Sequence, residues 1–324
     1  MRILVTGGAG YIGSHVVLAL SAAGHEITVV DNLSSGHRQA VKAGKLIEMD
    51  IANSELETLM QTSKFEAVFH FAGSIVVPES VSKPMEYYQN NTINSHRLVS
   101  LCLKYNIPNF IFSSTAAVYG NADSGICSEE TPVGPLNPYG HSKLMTEQML
   151  QDSSFSNRDF KFVALRYFNV SGADPEGRVG QSFPGATHLI KSACEAAAGK
   201  RNELYIFGTD YPTKDGTCIR DYIHVTDLAD AHIAALNYLK AGGKSEIMNC
   251  GYGHGFSVKE VVSLVKKISG VDFKVTEAAR RAGDAPSLTS RVEKILKVLG
   301  WKPKYDDLSF IIKTAYEWEK KRTY

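Results

Sequence analysis

The segment Thr6-Gly7-Gly8-Ala9-Gly10-Tyr11-Ile12-Gly13 constrains this chain more than any other stretch. It follows a short β-branched run, Arg2–Thr6, and opens an amphipathic run over 11–23, so its glycines fall at a strand-to-helix turn. Two spacings fit: Gly8-x-Gly10-x-x-Gly13 and Gly7-x-x-Gly10-x-x-Gly13. In either, glycine permits a tight turn, lets backbone approach a pyrophosphate and allows the helix to pack close to the strand. Free N–H groups at Tyr11, Ile12 and Gly13, with the positive end of the helix dipole, then suit an anionic phosphate. The next strand, Ile27–Val30, runs into Asp31-Asn32-Leu33. A carboxylate there accepts both ribose hydroxyls of NAD and repels the 2′-phosphate of NADP, and no arginine follows it to reverse that choice.

The first half continues as strands alternating with helices: Leu46–Met49, a helix over 54–62, Ala67–Phe71, a long helix from Pro84 to Tyr105, Asn109–Ser113, a helix from Tyr139 and Phe162–Leu165. Apolar strands separated by helices predict a Rossmann-type doubly wound parallel α/β sheet, covered on both faces. Asp50-Ile51 and Phe71-Ala72-Gly73 fall at carboxyl ends of strands, where such sheets bind ligands. After residue 168 the rhythm changes. A Gly- and Pro-rich stretch over 171–187 precedes helices near 186–198, 226–240, 257–269 and 306–320. The expectation is an NAD-binding domain over 1–168 and a smaller α/β substrate-binding lobe over 169–324, with some elements returning to the first sheet.

Composition narrows the partners. Thirty-five basic against 34 acidic residues leave a net charge of +1, without the basic excess that coating a nucleic acid requires. No apolar run reaches the roughly 18 residues of a membrane span, and glycines interrupt the N-terminal apolar stretch where a signal peptide would need continuity. The five cysteines are an odd number with no C-x-x-C pair, which argues against a disulfide framework or a zinc site and for reduced thiols in the cytoplasm. No metal is expected.

Tyr139 and Lys143 lie four apart at the start of a helix, hence on one face. The spacing alone is cheap, since Tyr316 and Lys320 repeat it in the C-terminal helix, where it reads as a solvated face. Position separates the first pair: it follows a strand ending in Ser113-Ser114-Thr115, at the sheet edge where a nicotinamide would lie. A phenol is a poor base at neutral pH. A nearby ammonium and a positive nicotinamide favour the phenolate. Thr115 offers a hydroxyl to the substrate oxygen or a proton relay to Tyr139. The set suits removal of an alcohol proton while the same carbon gives up a hydride.

Thr6–Gly13, Asp31-Asn32 and Tyr139-Gly-His-Ser-Lys143 together resemble the extended short-chain dehydrogenase/reductase family. Phe71-Ala72-Gly73, Glu79-Ser80-Val81, Asn109–Ser114, Leu165–Asn169, Asp210–Thr213, Arg220–Val225 and Arg280–Asp284 are similar to its UDP-hexose 4-epimerase branch, over essentially the whole chain. The resemblance implies interconversion of UDP-glucose and UDP-galactose. Tyr139 would take the 4-hydroxyl proton and NAD the C4 hydride; the 4-keto sugar would turn while its UDP stays anchored. It also implies that Asn90, Lys143 and Phe168 contact cofactor. Asn169, Thr187, His188, Leu189, Tyr205, Phe207, Arg220, Arg281 and Asp284 would line the UDP-sugar site, and two arginines suit a diphosphate. A homodimer paired through helices near 84–105 and 139–157 is implied as well.

Four positions depart from, or tune, that pattern. Thr115 replaces a frequent serine but keeps the hydroxyl. Ile75 stands where many members have a lysine near the cofactor. Thr187-His188 replaces a frequent Asn-Asn. Leu288 occupies a position where a bulky tyrosine excludes N-acetylated sugars, and its intermediate size leans towards plain hexoses. Ala116-Ala117 after Thr115 lack the acidic pair a 4,6-dehydratase needs. Epimerases of UDP-N-acetylglucosamine, UDP-glucuronate or UDP-pentoses remain alternatives, as does a non-catalytic NAD-binding sensor, although Tyr139 and Lys143 are intact.

Overall fold

The computed structural model describes residues 1–122, 124–281 and 284–324. Seven parallel strands form the main sheet, in the order Glu246–Cys250, Lys161–Tyr167, Asn109–Thr115, Ala67–His70, Arg2–Thr6, Glu26–Asp31, Lys45–Glu48. The period of two along each strand sends alternate side chains to opposite faces. Ile3, Val5, Val29, Phe69, Ile111 and Val163 join one core beneath helices Tyr11–Ala22 and Val225–Lys240. Leu4, Val30, Val68, Phe110, Phe112 and Phe162 join a second core beneath Glu55–Ser63, Asn94–Lys104 and Pro138–Ser156. Strand order reverses beside Arg2–Thr6, whose neighbours are Glu26–Asp31 and Ala67–His70. That switch point opens a crevice at the carboxyl ends of the strands.

Two details differ from the sequence reading. The long helix expected from 84 to 105 is one turn at Pro84–Tyr87, a π-helical turn at Tyr88–Ile93 and an α-helix at Asn94–Lys104. The wide turn frees the carbonyl of buried Asn91, which accepts instead from the hydroxyls of Ser95 at 2.5 Å and Thr146 at 3.3 Å. A short helix, Glu293–Leu299, also stands where no element was expected.

The remaining strands make small sheets. Ile219–Arg220 lies between Ser287–Ser290 and Phe256–Ser257, and Ile126–Cys127 extends the edge. Asn169–Ser171 pairs with Tyr222–His224, and Leu204–Phe207 with Val275–Ala278. Helix Val258–Ser269 starts on a reciprocal Ser257–Glu260 capping box and ends at Gly270 with φ +70°. From this lobe the chain returns to the main sheet through helix Val225–Lys240 and strand Glu246–Cys250, which pairs with Lys161–Tyr167.

Candidate active site

The glycine loop is shaped by contacts that no other residue would tolerate. Gly7 has φ +73°, and a Cβ there would lie 2.4 Å from the backbone nitrogen of Ala72. A Cβ on Gly13 would lie 2.2 Å from the Gly7 carbonyl oxygen. The loop is pinned to both neighbouring strands: Gly7 N–H donates to the Val30 carbonyl at 2.9 Å, and Phe71 and Ala72 N–H donate to Thr6 at 2.9 and 3.1 Å. Helix Tyr11–Ala22 begins at Gly10 with no side-chain cap and no acid in its first turn. Its free N–H groups and its bare glycine cradle therefore fit a diphosphate. The Tyr11 side chain is fixed by its hydroxyl, which donates to the Gly172 carbonyl at 2.7 Å.

Asp31 is buried and accepts the N–H groups of Ala9 and Leu33, both at 2.9 Å. Burial raises its carboxyl above the usual value, while those two bonds pull it down. Each oxygen keeps lone pairs for ribose hydroxyls. Asn32 donates to Asp50 at 2.7 Å, which joins two of the expected cofactor residues across adjacent strand ends; Ile51 beside them is buried. Asn90 binds the Ser74 hydroxyl at 2.9 Å.

The chemical end lies on the first two turns of helix Pro138–Ser156. Asn137 caps it by accepting the Gly140 N–H at 2.9 Å, with Pro138 in the first turn. This cap sets where Tyr139 and Lys143 point. The Thr115 hydroxyl neighbours the Tyr139 phenol; burial raises the phenol above its ordinary value and the Thr115 hydroxyl opposes that. Lys143 is only 3% exposed and its ammonium donates to the Ser113 carbonyl at 2.8 Å. Burial lowers it to about 8, with the Glu147 carboxylate pulling the other way. A Cβ on Gly73 would lie 3.0 Å from the Asn91 side-chain oxygen and 3.7 Å from Lys143 Nζ, so this glycine lets the loop pass close to both.

Five of the expected sugar-nucleotide residues, Arg220, Asp284, Arg281, Phe207 and Tyr205, are linked one to the next. Arg220 is anchored by two carbonyls, Ile219 and Ala285, both at 2.8 Å, and faces Asp284 at 3.6 Å. Asp284 also accepts from Arg281 at 2.9 Å, and the Arg281 guanidinium lies 4.9 Å over the Phe207 ring. Tyr205 and Phe207 are the exposed positions of their strand, with rings 6.2 Å apart. Two cations sharing one carboxylate thus lie beside an exposed aromatic pair. Ala282 and Gly283, between Arg281 and Asp284, lie outside the described residues. Leu288 is the strand partner of Arg220 and packs against the small cluster that contains Phe168, which brings the second lobe to the chemical end. Asn169 bonds the Asp221 carbonyl through both its N–H at 2.9 Å and its side chain at 3.2 Å. Thr187 and His188 are exposed just before helix Leu189–Ala197. The Tyr316–Lys320 pair sits on a half-exposed face, its ammonium 5.3 Å over the ring.

Several site residues carry no sequence signal. Buried Asn91 accepts the Ser74 N–H at 2.7 Å and donates to Ser142 at 3.1 Å, fastening the loop after Gly73 to the helix of Tyr139. His232, which no motif includes, bonds the Tyr167 hydroxyl and lies beside Phe71.

Residues 3–251 match the NAD dependent epimerase/dehydratase family. The chain is 56% identical over 321 residues to the UDP-glucose 4-epimerase of Azospirillum brasilense, covering 98% of this chain and 92% of that protein. It superposes on the UDP-Glc/GlcNAc 4-epimerase of Campylobacter jejuni with TM-score 0.88 and 52% identity, over 99% of both chains. The UDP-glucose 4-epimerase of Brucella ovis in complex with NAD matches with TM-score 0.95 and 43% identity, over 98% of both chains.

Proposed function

The chain belongs to the NAD dependent epimerase/dehydratase family, and we infer from that membership and the site's geometry that it is an NAD-dependent isomerase interconverting UDP-glucose and UDP-galactose. The observation that carries the reading is one helix face: Tyr139 against the Thr115 hydroxyl, and a turn later a buried Lys143 whose ammonium has the Ser113 carbonyl as its partner. NAD, when bound, accepts and returns the C4 hydride, and its oxidised ring adds a positive charge that favours the Tyr139 phenolate. Gly7, Gly10, Gly13, Tyr11, Ile12, Asp31, Asn32, Asp50, Ile51, Phe71, Ala72, Gly73, Asn90, Ser113, Tyr139, Lys143 and Phe168 would hold it.

Tyr139 takes the proton from the sugar 4-hydroxyl, and Thr115 holds that oxygen in line. Lys143 keeps two N–H donors beyond the one given to Ser113, and its charge steadies the phenolate. After oxidation the 4-keto sugar turns, and Tyr139 returns the proton to O4 once the opposite face has been reduced. Turning requires the sugar to be held loosely and the nucleotide firmly. Arg220, Arg281, Asp284, Tyr205, Phe207, Asn169, Thr187, His188 and Leu189 supply that anchor, which separates binding from chemistry along the substrate. In this reading residues 1–168 carry the cofactor and 169–324 the UDP-sugar.

The same reading includes a homodimer. Val81, Met85, Ile93 and Met145 are 63%, 74%, 53% and 40% exposed on the helices from Val77 to Lys104 and from Pro138 to Ser156, and pairing two copies there would bury them. It also includes a cytoplasmic location, which suits five free, buried cysteines. No helix among the described residues is long and apolar enough to cross a membrane.

Purified protein incubated with UDP-galactose tests the function by NMR: appearance of UDP-glucose, with NAD released on denaturation, is the expected result. NAD without conversion would leave a sensor instead. The intermediate size of Leu288 leans towards plain hexoses; a second substrate class is favoured by the Campylobacter jejuni relative, whose name includes GlcNAc. Turnover of UDP-N-acetylgalactosamine comparable to that of UDP-galactose supports this broader range; its absence restricts the enzyme to plain hexoses.

A further inference from the structure

Beneath the Tyr139–Lys143 face lies a second charged layer. Glu147 continues the same i, i+4 row and is 1% exposed. Arg166, from strand Lys161–Tyr167, grips it through two parallel bonds, Nε to Oε1 at 3.0 Å and Nη2 to Oε2 at 2.6 Å. The Ser114 hydroxyl donates to the same carboxylate. Arg166 is itself clamped, its guanidinium 4.8 Å over the Tyr119 ring. The carboxylate therefore cannot swing away, and it sits one helical turn below the ammonium without pairing with it directly.

A buried ion pair gains little stability over apolar packing. Its retention here has a reason if its charge serves the neighbouring Lys143. Among the described residues Glu147 is the one carboxylate whose charge acts on Lys143, beside the Tyr139 phenol a turn earlier and the Phe112 ring 4.9 Å from the ammonium. His70, from strand Ala67–His70, is buried and held neutral, with its ring pushed down to about 3. Tyr87 and Tyr167, which neighbour Tyr139, are phenols driven upward by burial and stay uncharged. Arg166 is positive and spent on Glu147.

We propose that Glu147, locked by Arg166 and Ser114, is a positioning residue that holds Lys143 in its charged form and so supports Tyr139 as the proton acceptor. The consequence for Tyr139 rests on the epimerase reading; the effect on Lys143 does not.

The test is the titration of Lys143 in NAD-loaded protein, followed by 13C NMR of the lysine Cε and assigned with Lys143→Met, beside the pH profile of UDP-galactose conversion. Glu147→Gln removes the charge and keeps the shape. Its Lys143 midpoint should fall by roughly one to two pH units, and the alkaline limb of the activity profile should move with it. Glu147→Gln/Arg166→Gln leaves neither charge stranded and still lacks the carboxylate. Its midpoint should lie below that of the wild type by a smaller amount, and it decides the matter if the single variant does not fold. A Lys143 midpoint unchanged in the double variant overturns the proposal and leaves Glu147 as a helix-to-strand fastener. Wild-type protein that binds NAD but does not convert UDP-galactose refutes the epimerase reading alone, because the Lys143 titration still answers for Glu147.

Discussion

The ammonium of Lys143 donates to the backbone carbonyl of Ser113 at 2.8 Å, so the helix that carries Tyr139 is tied to the strand that ends in Thr115. One bond thus fixes the base, the hydroxyl and the cation relative to each other. Its cost is a charge buried in the fold, and its benefit appears only in the chemistry.

Removing the phenol tests the base. Tyr139→Phe should keep the fold and retain NAD, with conversion reduced by about 10²–10⁴-fold. Thr115→Ser should keep most activity and Thr115→Val should not, since only the hydroxyl is used. Steady-state rates alongside the NAD content of the purified variants check both; near-wild-type turnover by Tyr139→Phe would remove it from the mechanism.

Lys143 gives a pH dependence with a definite sign. Its folded value of about 8 lies below the ordinary 10.5, so between the two the unfolded chain holds the extra proton and stability rises with pH. Activity should run the other way, declining as pH passes about 8 and the ammonium is lost. Replacement by an apolar side chain of similar length relieves the burial cost. Lys143→Met should therefore raise the thermal midpoint by about 2–4 °C while abolishing most turnover. A variant both unstable and active would contradict this account.

Gly7 has no tolerable substitute. With φ +73° and the Ala72 nitrogen 2.4 Å from any Cβ, Gly7→Ala must push apart the first and fourth strands at the cofactor crevice. Loss of bound NAD and a destabilisation on the order of 3 kcal/mol are expected, measurable by cofactor content and denaturant unfolding.

The anchoring arginines should affect substrate without affecting cofactor. Arg281→Ala should raise KM for UDP-galactose by roughly tenfold or more, with NAD content unchanged. Arg220→Lys should behave almost as badly as Arg220→Ala, because the guanidinium holds the Ile219 and Ala285 carbonyls through one nitrogen while another faces Asp284. Equal KM values across these variants would place the diphosphate elsewhere.

What could be read from the chain was local. The glycine loop, Asp31 and the Tyr139–Lys143 row each announce themselves within a few residues, and the β-branched runs announce the strands. What could not be read depends on partners distant in sequence. Nothing near Asn91 says that its carbonyl will be freed by a π-helical turn or that its side chain will clamp Ser74 to Ser142. Nothing near Glu147 signals Arg166, which reaches it from the next strand. Nothing near Glu246–Cys250 marks it as an edge of the main sheet, because its partner, Lys161–Tyr167, is distant in sequence.

The central claim is that oxidation and reduction occur at the same carbon within one bound complex, with Tyr139 moving the proton. UDP-galactose deuterated at C4 tests it most directly. The account predicts that the UDP-glucose formed keeps its deuterium at C4 and gains no hydrogen there from solvent. Loss of the label to water, or conversion that proceeds without NAD, would contradict it.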